Sequence, residues 1–284
     1  MASKTGVKES KENKESKESN ESEKNSSVSG DTNSDFGIDL NSNPEVEKIS
    51  VKGVISNYFY QPDWFGVHYH VNLYVGCSFG CVVCASQGRF AKHLSLGCDR
   101  LGVKENAAEL LTKAVSGKRR KGVVMIGHEA DPYPSIEAKT QLTRMAIKVL
   151  LAHQFNVVLL TKNPMVTRDL DLLCQRIWGL KPIVALQINT LSDQLSLTME
   201  PLAPPASERL KALEVLAHAG VITGVYLGPL LPYVNDDTCD VEALISRIAA
   251  LGAKFVVVPY SLVLSEDQRA ILQKFSANMP KGYY

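Results

Sequence analysis

Cys77-Ser-Phe-Gly-Cys81-Val-Val-Cys84 follows directly on the apolar run Val71-Asn-Leu-Tyr-Val75 and places three thiols in one short loop. Thiolates are soft ligands that select zinc, copper(I) or iron–sulfur clusters, so three of them this close mark a metal-binding loop. The count separates the candidates. Structural zinc takes four protein ligands, whereas a cubane cluster held by three thiolates leaves one iron open to another ligand. A non-catalytic zinc- or cluster-binding module remains open on this evidence, with Cys98, His93 or His70 as its fourth ligand.

Outward from the loop, the hydrophobic pattern becomes regular. Strand-like apolar runs at Val71–Val75, Val123–Ile126, Val157–Leu160, Ile183–Ile188, Ile222–Leu227 and Phe255–Val258 alternate with amphipathic stretches near 105–116, 136–153, 168–177, 206–219 and 240–251. Near-continuous apolar strands alternating with helices predict an α/β fold with a parallel sheet covered by helices. Six such units, each with its polar residues just after the strand, predict a partial (β/α)6 TIM-like barrel whose site lies at the C-terminal strand ends.

Several of those strand ends carry chemistry. After the second run comes Gly127-His-Glu-Ala-Asp-Pro-Tyr133, with two carboxylates, an imidazole and a phenol. Lys162, in Thr161-Lys-Asn163, stands where a cation is costly without a partner. The fourth run ends in Gln187 and Asn189, amides suited to a ribose or a carboxylate. Glu200 and Arg209 have the spacing for a structural ion pair, and His68 and His70 lie just ahead of the cysteine loop.

These stretches, in this order, resemble the radical S-adenosylmethionine (SAM) enzymes, and within them the spore photoproduct lyase-like branch. The resemblance runs from about residue 70 to 260 and rests on the cysteine loop, Asn72-Leu-Tyr-Val-Gly-Cys77, Gly127–Tyr133, Thr161–Asn163, Glu200-Pro-Leu-Ala-Pro204 with Arg209, and Gly228-Pro-Leu-Leu-Pro232 with Asn235-Asp236. It implies the partial barrel of that family, a 4Fe-4S cluster on Cys77, Cys81 and Cys84, and SAM chelated by the open iron. It further implies that Glu129 accepts from the SAM amino group, that Lys162 meets its carboxylate, and that the apolar turns carrying Leu230 and Pro259 suit the adenine. The implied activity is reductive cleavage of SAM to a 5′-deoxyadenosyl radical, with an electron donor such as flavodoxin or ferredoxin. The chain departs from the family pattern at Val83, usually aromatic, and at Leu202, often Arg. In the branch a cysteine near the loop after the second strand returns hydrogen to the product. Here that loop has none, and Tyr133 and Cys98 are the remaining donor candidates.

Composition bounds the rest. The chain has 284 residues, 45% hydrophobic, enough for one large core or two smaller ones. Residues 1–50 carry seven Lys against eleven Asp or Glu, so the remainder bears a mild positive surplus. That surplus leaves nucleic acid open as a partner without indicating it, so DNA repair and action on an unidentified substrate both stay open. Residues 1–44 are expected to form a disordered low-complexity tail, 45–70 an irregular aromatic cap, 71–260 the barrel, and 261–284 a helix and tail in which Tyr283 and Tyr284 end the chain. Without an apolar run of about 18 residues or a signal-peptide pattern, the expectation is a cytoplasmic protein with no membrane contact. Cys174 and Cys239 read as ordinary small buried residues.

Overall fold

The computed structural model describes residues 45–57, 64–84 and 100–259, together with Glu266, Gln268, Arg269 and Leu272. Expectations for residues 1–44, Tyr58, Tyr60, His93, Cys98, Tyr260, Tyr283 and Tyr284 lie outside the described residues. In chain order the elements are β1 (Glu45–Ile49), β2 (Ile55–Asn57), β3 (Val67–Val71), β4 (Tyr74–Val75), β5 (Arg100–Lys104) and α1 (Ala107–Ser116), then β6 (Val123–Ile126), α2 (Glu137–Thr140), α3 (Leu142–Ala152) and β7 (Asn156–Thr161). A 3-10 turn over Pro164–Asp169 leads into α4 (Leu170–Leu173), followed by β8 (Ile183–Gln187), α5 (Asp193–Met199), α6 (Ala206–His218), β9 (Ile222–Tyr226), α7 (Thr238–Ala250) and β10 (Val256–Val257).

Six strands form one parallel ladder in the order β3-β6-β7-β8-β9-β10, each beside the next in sequence, with β2 added antiparallel at the β3 edge. This is the expected α/β partial barrel. Alternation along the strands divides their side chains between two cores. Val124, Ile126, Val157, Leu159, Val184, Leu186 and Val225 pack beneath the helices against residues such as Leu111, Ile147, Leu150, Leu213, Leu216 and Ile248. Val67, Met125 and Val158 form a separate cluster with Phe65, Val123 and Ile183 on the concave face. Continuing the two-residue period from that cluster brings Lys162, Gln187 and Asn189 to the concave side at the C-terminal strand ends, and pairing with Met125 places His70 there after a register shift between Val67 and Tyr69.

Three elements differ from the sequence expectation. The first barrel strand is Val67–Val71 rather than Val71–Val75, and residues 45–70 hold β1, β2 and β3 where an irregular cap was expected. Tyr74–Val75 turns away to pair with β5, completing a second sheet of order β1-β5-β4. The ladder ends at Asn72 because its side-chain amide accepts from the Glu129 N–H (3.3 Å) and its carbonyl from the Lys104 ammonium (2.7 Å).

The expected helix over 136–153 breaks at Gln141, whose φ is +50°. The break lets the buried Glu137 carboxylate accept from Thr143 N (3.0 Å) and Arg144 N (3.4 Å), satisfying the open start of α3, while Arg168 neutralises it at 2.7 Å. The helix expected over 168–177 is reduced to α4 (Leu170–Leu173), entered from a 3-10 turn over Pro164–Asp169 that Pro164 starts and the Asn163 side chain caps by accepting from Met165 N (2.9 Å). Among the described residues no helix is long and apolar enough to cross a membrane.

Candidate active site

The cysteine loop leaves β4 through Gly76, whose φ of +79° suits a residue without a Cβ. Backbone bonds pin it from both sides: Val82 N donates to Met199 O (2.9 Å) and Leu202 N to Phe79 O (3.1 Å). Gln268 Nε2 donates to Cys84 O (2.8 Å). Phe79, Val82 and Val83 are buried, and the two valines pack with Met199, Leu231 and Leu272, so Val83 fills apolar space despite lacking the family's aromatic ring. Thus the three cysteines are partly buried on a loop whose other side chains form its anchor.

Burial pushes the Cys81 thiol up to about 12, against the opposing charge of Lys162, and pushes Cys77 up as well, helped by the neighbouring Cys81. Binding of a metal or cluster by thiols requires their deprotonation. The donor set suits a three-thiolate cluster: three soft ligands sit on one loop beside a cation. Among the described residues no group of three or more His, Cys, Asp or Glu, the three loop cysteines included, is gathered as a metal ion requires. His70, offered above as a zinc ligand, lies 3.7 Å from Glu129 and stacks 5.6 Å from His128.

Lys162 extends from the end of β7 to the loop. Its Nζ donates to Cys81 Sγ (3.1 Å) and lies 3.2 Å from Glu200 Oε1, while Glu200 Oε2 meets Arg209 Nη1 at 2.5 Å. The expected Glu200–Arg209 pair is present and joined to a second cation. Burial pushes the Glu200 carboxyl up, but Lys162 and Arg209 together bring it below its ordinary value. Arg209 also donates to the carbonyls of Pro204 (2.7 Å) and Gln187 (3.1 Å). Asp131 locks the β6 turn to the same place, accepting from Thr161 Oγ1 (2.7 Å), Lys162 N (2.8 Å) and Tyr133 N (2.9 Å). The turn approaches so closely that a Cβ on Gly127 (φ +103°) would lie 2.1 Å from Leu160 O.

The other candidates separate by placement. Glu129 keeps a partly exposed carboxylate at the barrel mouth beside His70. Gln187 commits its amide N–H to Gly228 O (2.6 Å). Asn189 is 2% exposed, yet neither end of its side-chain amide has a hydrogen-bond partner. Asn235 ties the β9 turn to β8, donating to Asn189 O and Pro229 O (both 3.0 Å). A small apolar cleft opens between the loop and that turn, lined by Val82, Val83, Met199, Glu200, Pro229, Leu231 and Leu272. Leu231 lines it, whereas Leu230 packs against the main core and Pro259 lies against Gly228.

Tyr133 is fully buried and donates to Asp169 Oδ2 (3.1 Å) beneath Arg168, within the polar cluster that holds Glu137. Its phenol is thus committed away from the cysteine loop. Cys174 and Cys239 are exposed rather than buried. Sequence reasoning missed α5 and Met199, for which Ser192 ahead of Asp193 was an available N-cap signal, its Oγ accepting from Leu195 N (3.2 Å). No local signal announced Gln268 or Leu272.

The family model described as the radical SAM superfamily matches residues 71–245. An uncharacterized protein of Methanocaldococcus jannaschii is 29% identical over 248 residues, covering 86% of this chain and 87% of that one. An uncharacterized protein of Mycobacterium tuberculosis is 29% identical over 196 residues, or 67% of this chain and 57% of its own length. Among solved structures, a spore photoproduct lyase variant superposes with TM-score 0.61 at 15% identity, and the lyase complexed with dinucleoside spore photoproduct with 0.59 at 16%. Each lyase match covers 81% of this chain, which spans 65% of the lyase's length, and at these identities the likeness concerns the fold. With the cysteine loop at the head of the matched region and the partial barrel around it, the chain belongs to the radical SAM superfamily.

Proposed function

We propose that the chain is a radical SAM enzyme in which Cys77, Cys81 and Cys84 hold a 4Fe-4S cluster and SAM binds beside them at the barrel mouth. The bound pair supplies one-electron reductive cleavage of the sulfonium, releasing a 5′-deoxyadenosyl radical. The observation that carries this reading is the anchored three-thiol loop facing Lys162 at the C-terminal mouth of the barrel.

The chain's own residues divide the binding work. An ammonium has three donors; Lys162 directs two at Cys81 and Glu200, leaving the third for the SAM carboxylate. Glu129, on the turn after β6 beside His70, accepts from the amino group. Asn189 offers a buried amide with no hydrogen-bond partner to a ribose hydroxyl or a base edge, whereas Gln187 already spends one of its two N–H donors on Gly228 O. The apolar walls of the cleft exclude water beside the cysteines. An electron carrier of the flavodoxin or ferredoxin kind is the proposed partner, and the cytoplasm the proposed compartment.

The substrate is proposed to be something other than the thymine dimer of spores. The turn Gly127–Tyr133 contains no cysteine, and the Tyr133 hydroxyl is bound to Asp169, so this turn presents no hydrogen donor at the mouth. Anaerobic reconstitution should yield about four irons per chain, and Cys81→Ala should abolish them, since three thiolates are the minimum for such a site. With dithionite and SAM the reconstituted protein should release 5′-deoxyadenosine and leave dimer-bearing DNA unrepaired. Stoichiometric zinc without iron would overturn the assignment, and repair matching 5′-deoxyadenosine release would overturn the substrate statement.

A further inference from the structure

Lys162 makes a contact that cofactor binding does not require. Its ammonium points at a cysteine proposed as a cluster ligand, 3.1 Å from Cys81 Sγ, and it is held there from behind. The side chains of Lys162, Glu200 and Arg209 are 12%, 3% and 1% exposed, and they alternate cation, anion, cation from α6 to the loop. A long lysine side chain placed between a carboxylate and a sulfur, both partly or fully buried, has little freedom to swing away. Arg209 shares Glu200, so the carboxylate cannot cancel Lys162 completely. Hydrogen bonds to the cysteine sulfurs and the net charge nearby set the reduction potential of an iron–sulfur site.

Resting on the proposed cluster assignment, we propose that Lys162, seated by Glu200 and Arg209, is a positioning cation that raises the reduction potential of the cluster through Cys81. A fixed positive charge and an N–H donor favour the more negative, reduced state. Lys162→Met should therefore make reduction harder, and Glu200→Gln, which removes a buried negative charge while leaving both cations, should make it easier. The opposite signs matter, because general damage to the loop gives no reason for the two variants to diverge.

The test is an EPR-monitored redox titration of anaerobically reconstituted full-length protein without SAM, with iron content determined for every sample. Lys162→Met should shift the reduction equilibrium at least tenfold toward the oxidised state, equivalent to 59 mV for a one-electron couple. Glu200→Gln should shift it severalfold the other way, and Lys162→Arg, which keeps the cation, should stay within threefold of the parent. Should Lys162→Met fail to hold iron, the direction of Glu200→Gln decides alone. Shifts of the same sign, or both below threefold, would overturn the inference. A parent chain that assembles no cluster would instead overturn the proposed function itself.

Discussion

Replacing Arg209 by methionine keeps most of the side-chain volume and removes the charge from a site with 1% exposure. The variant loses the 2.5 Å contact to Glu200 and the donors to the carbonyls of Pro204 and Gln187. Removing one partner of a buried ion pair typically costs about 3–5 kcal/mol. Lys162 still faces Glu200, so the lower end of that range applies to the pair. The two abandoned carbonyls add roughly 1 kcal/mol each where water does not reach them. The expected loss is about 4–5 kcal/mol, a large share of a typical stability of ~5–15 kcal/mol. Urea unfolding of the cluster-free, reduced full-length protein at pH 7 measures it.

The pH dependence of that loss supplies a second readout. In the parent, burial raises the Glu200 carboxyl and the two cations more than reverse this, so it lies below its ordinary value of 4.5. Its contribution to stability is present above 4.5 and disappears as the pH falls through the lower folded-state value. With Arg209 gone, Glu200 keeps only Lys162 against the effect of burial, so its carboxyl should rise from the parent's value and protonation should cost the variant less. The gap between variant and parent should therefore narrow from pH 7 to pH 4. A loss below about 1 kcal/mol at pH 7, or a gap unchanged down to pH 4, would refute the picture of a buried, charged triad.

Two further substitutions separate structural from ligand-binding roles. Asn189→Leu removes an amide that is buried and unpartnered, so the ligand-free protein should keep or gain stability while SAM affinity in equilibrium dialysis falls roughly tenfold or more; unchanged affinity would remove Asn189 from the site. Tyr133→Phe deletes one hydrogen bond to an Asp169 still held by Arg144 and Arg168, so it should cost about 1 kcal/mol in urea unfolding and leave 5′-deoxyadenosine release unchanged. Loss of that release would restore the phenol as a participant.

Much of the barrel was legible because its cause is local. Apolar runs such as Val123–Ile126 and Ile183–Gln187 announce buried parallel strands wherever they occur, and the helices between them carry the complementary period. The weaker elements were not legible for the same reason. β1, β5 and the start of β3 are short and bordered by charge or aromatic residues, and each is a strand only because a partner lies beside it. The break at Gln141 likewise depends on Glu137 meeting Arg168, 31 residues away.

By itself the sequence determined that three thiolates occupy one loop, that the loop follows a strand, and that polar residues cluster after later strands, since spacing and periodicity are properties of contiguous chain. It also identified Lys162 as a cation needing a partner. Only the tertiary structure decided which partner. Lys162 reaches a sulfur 81 residues away, and Gln268 closes on Cys84 across 184 residues. It also sent Tyr133 into a buried polar cluster, put Leu231 rather than Leu230 on the cleft, and left the Asn189 amide unsatisfied. These outcomes follow from strand register and from the way turns are pinned at the barrel mouth. A shift of one residue along a strand exchanges its two faces, and such register is settled only when all six strands pack together.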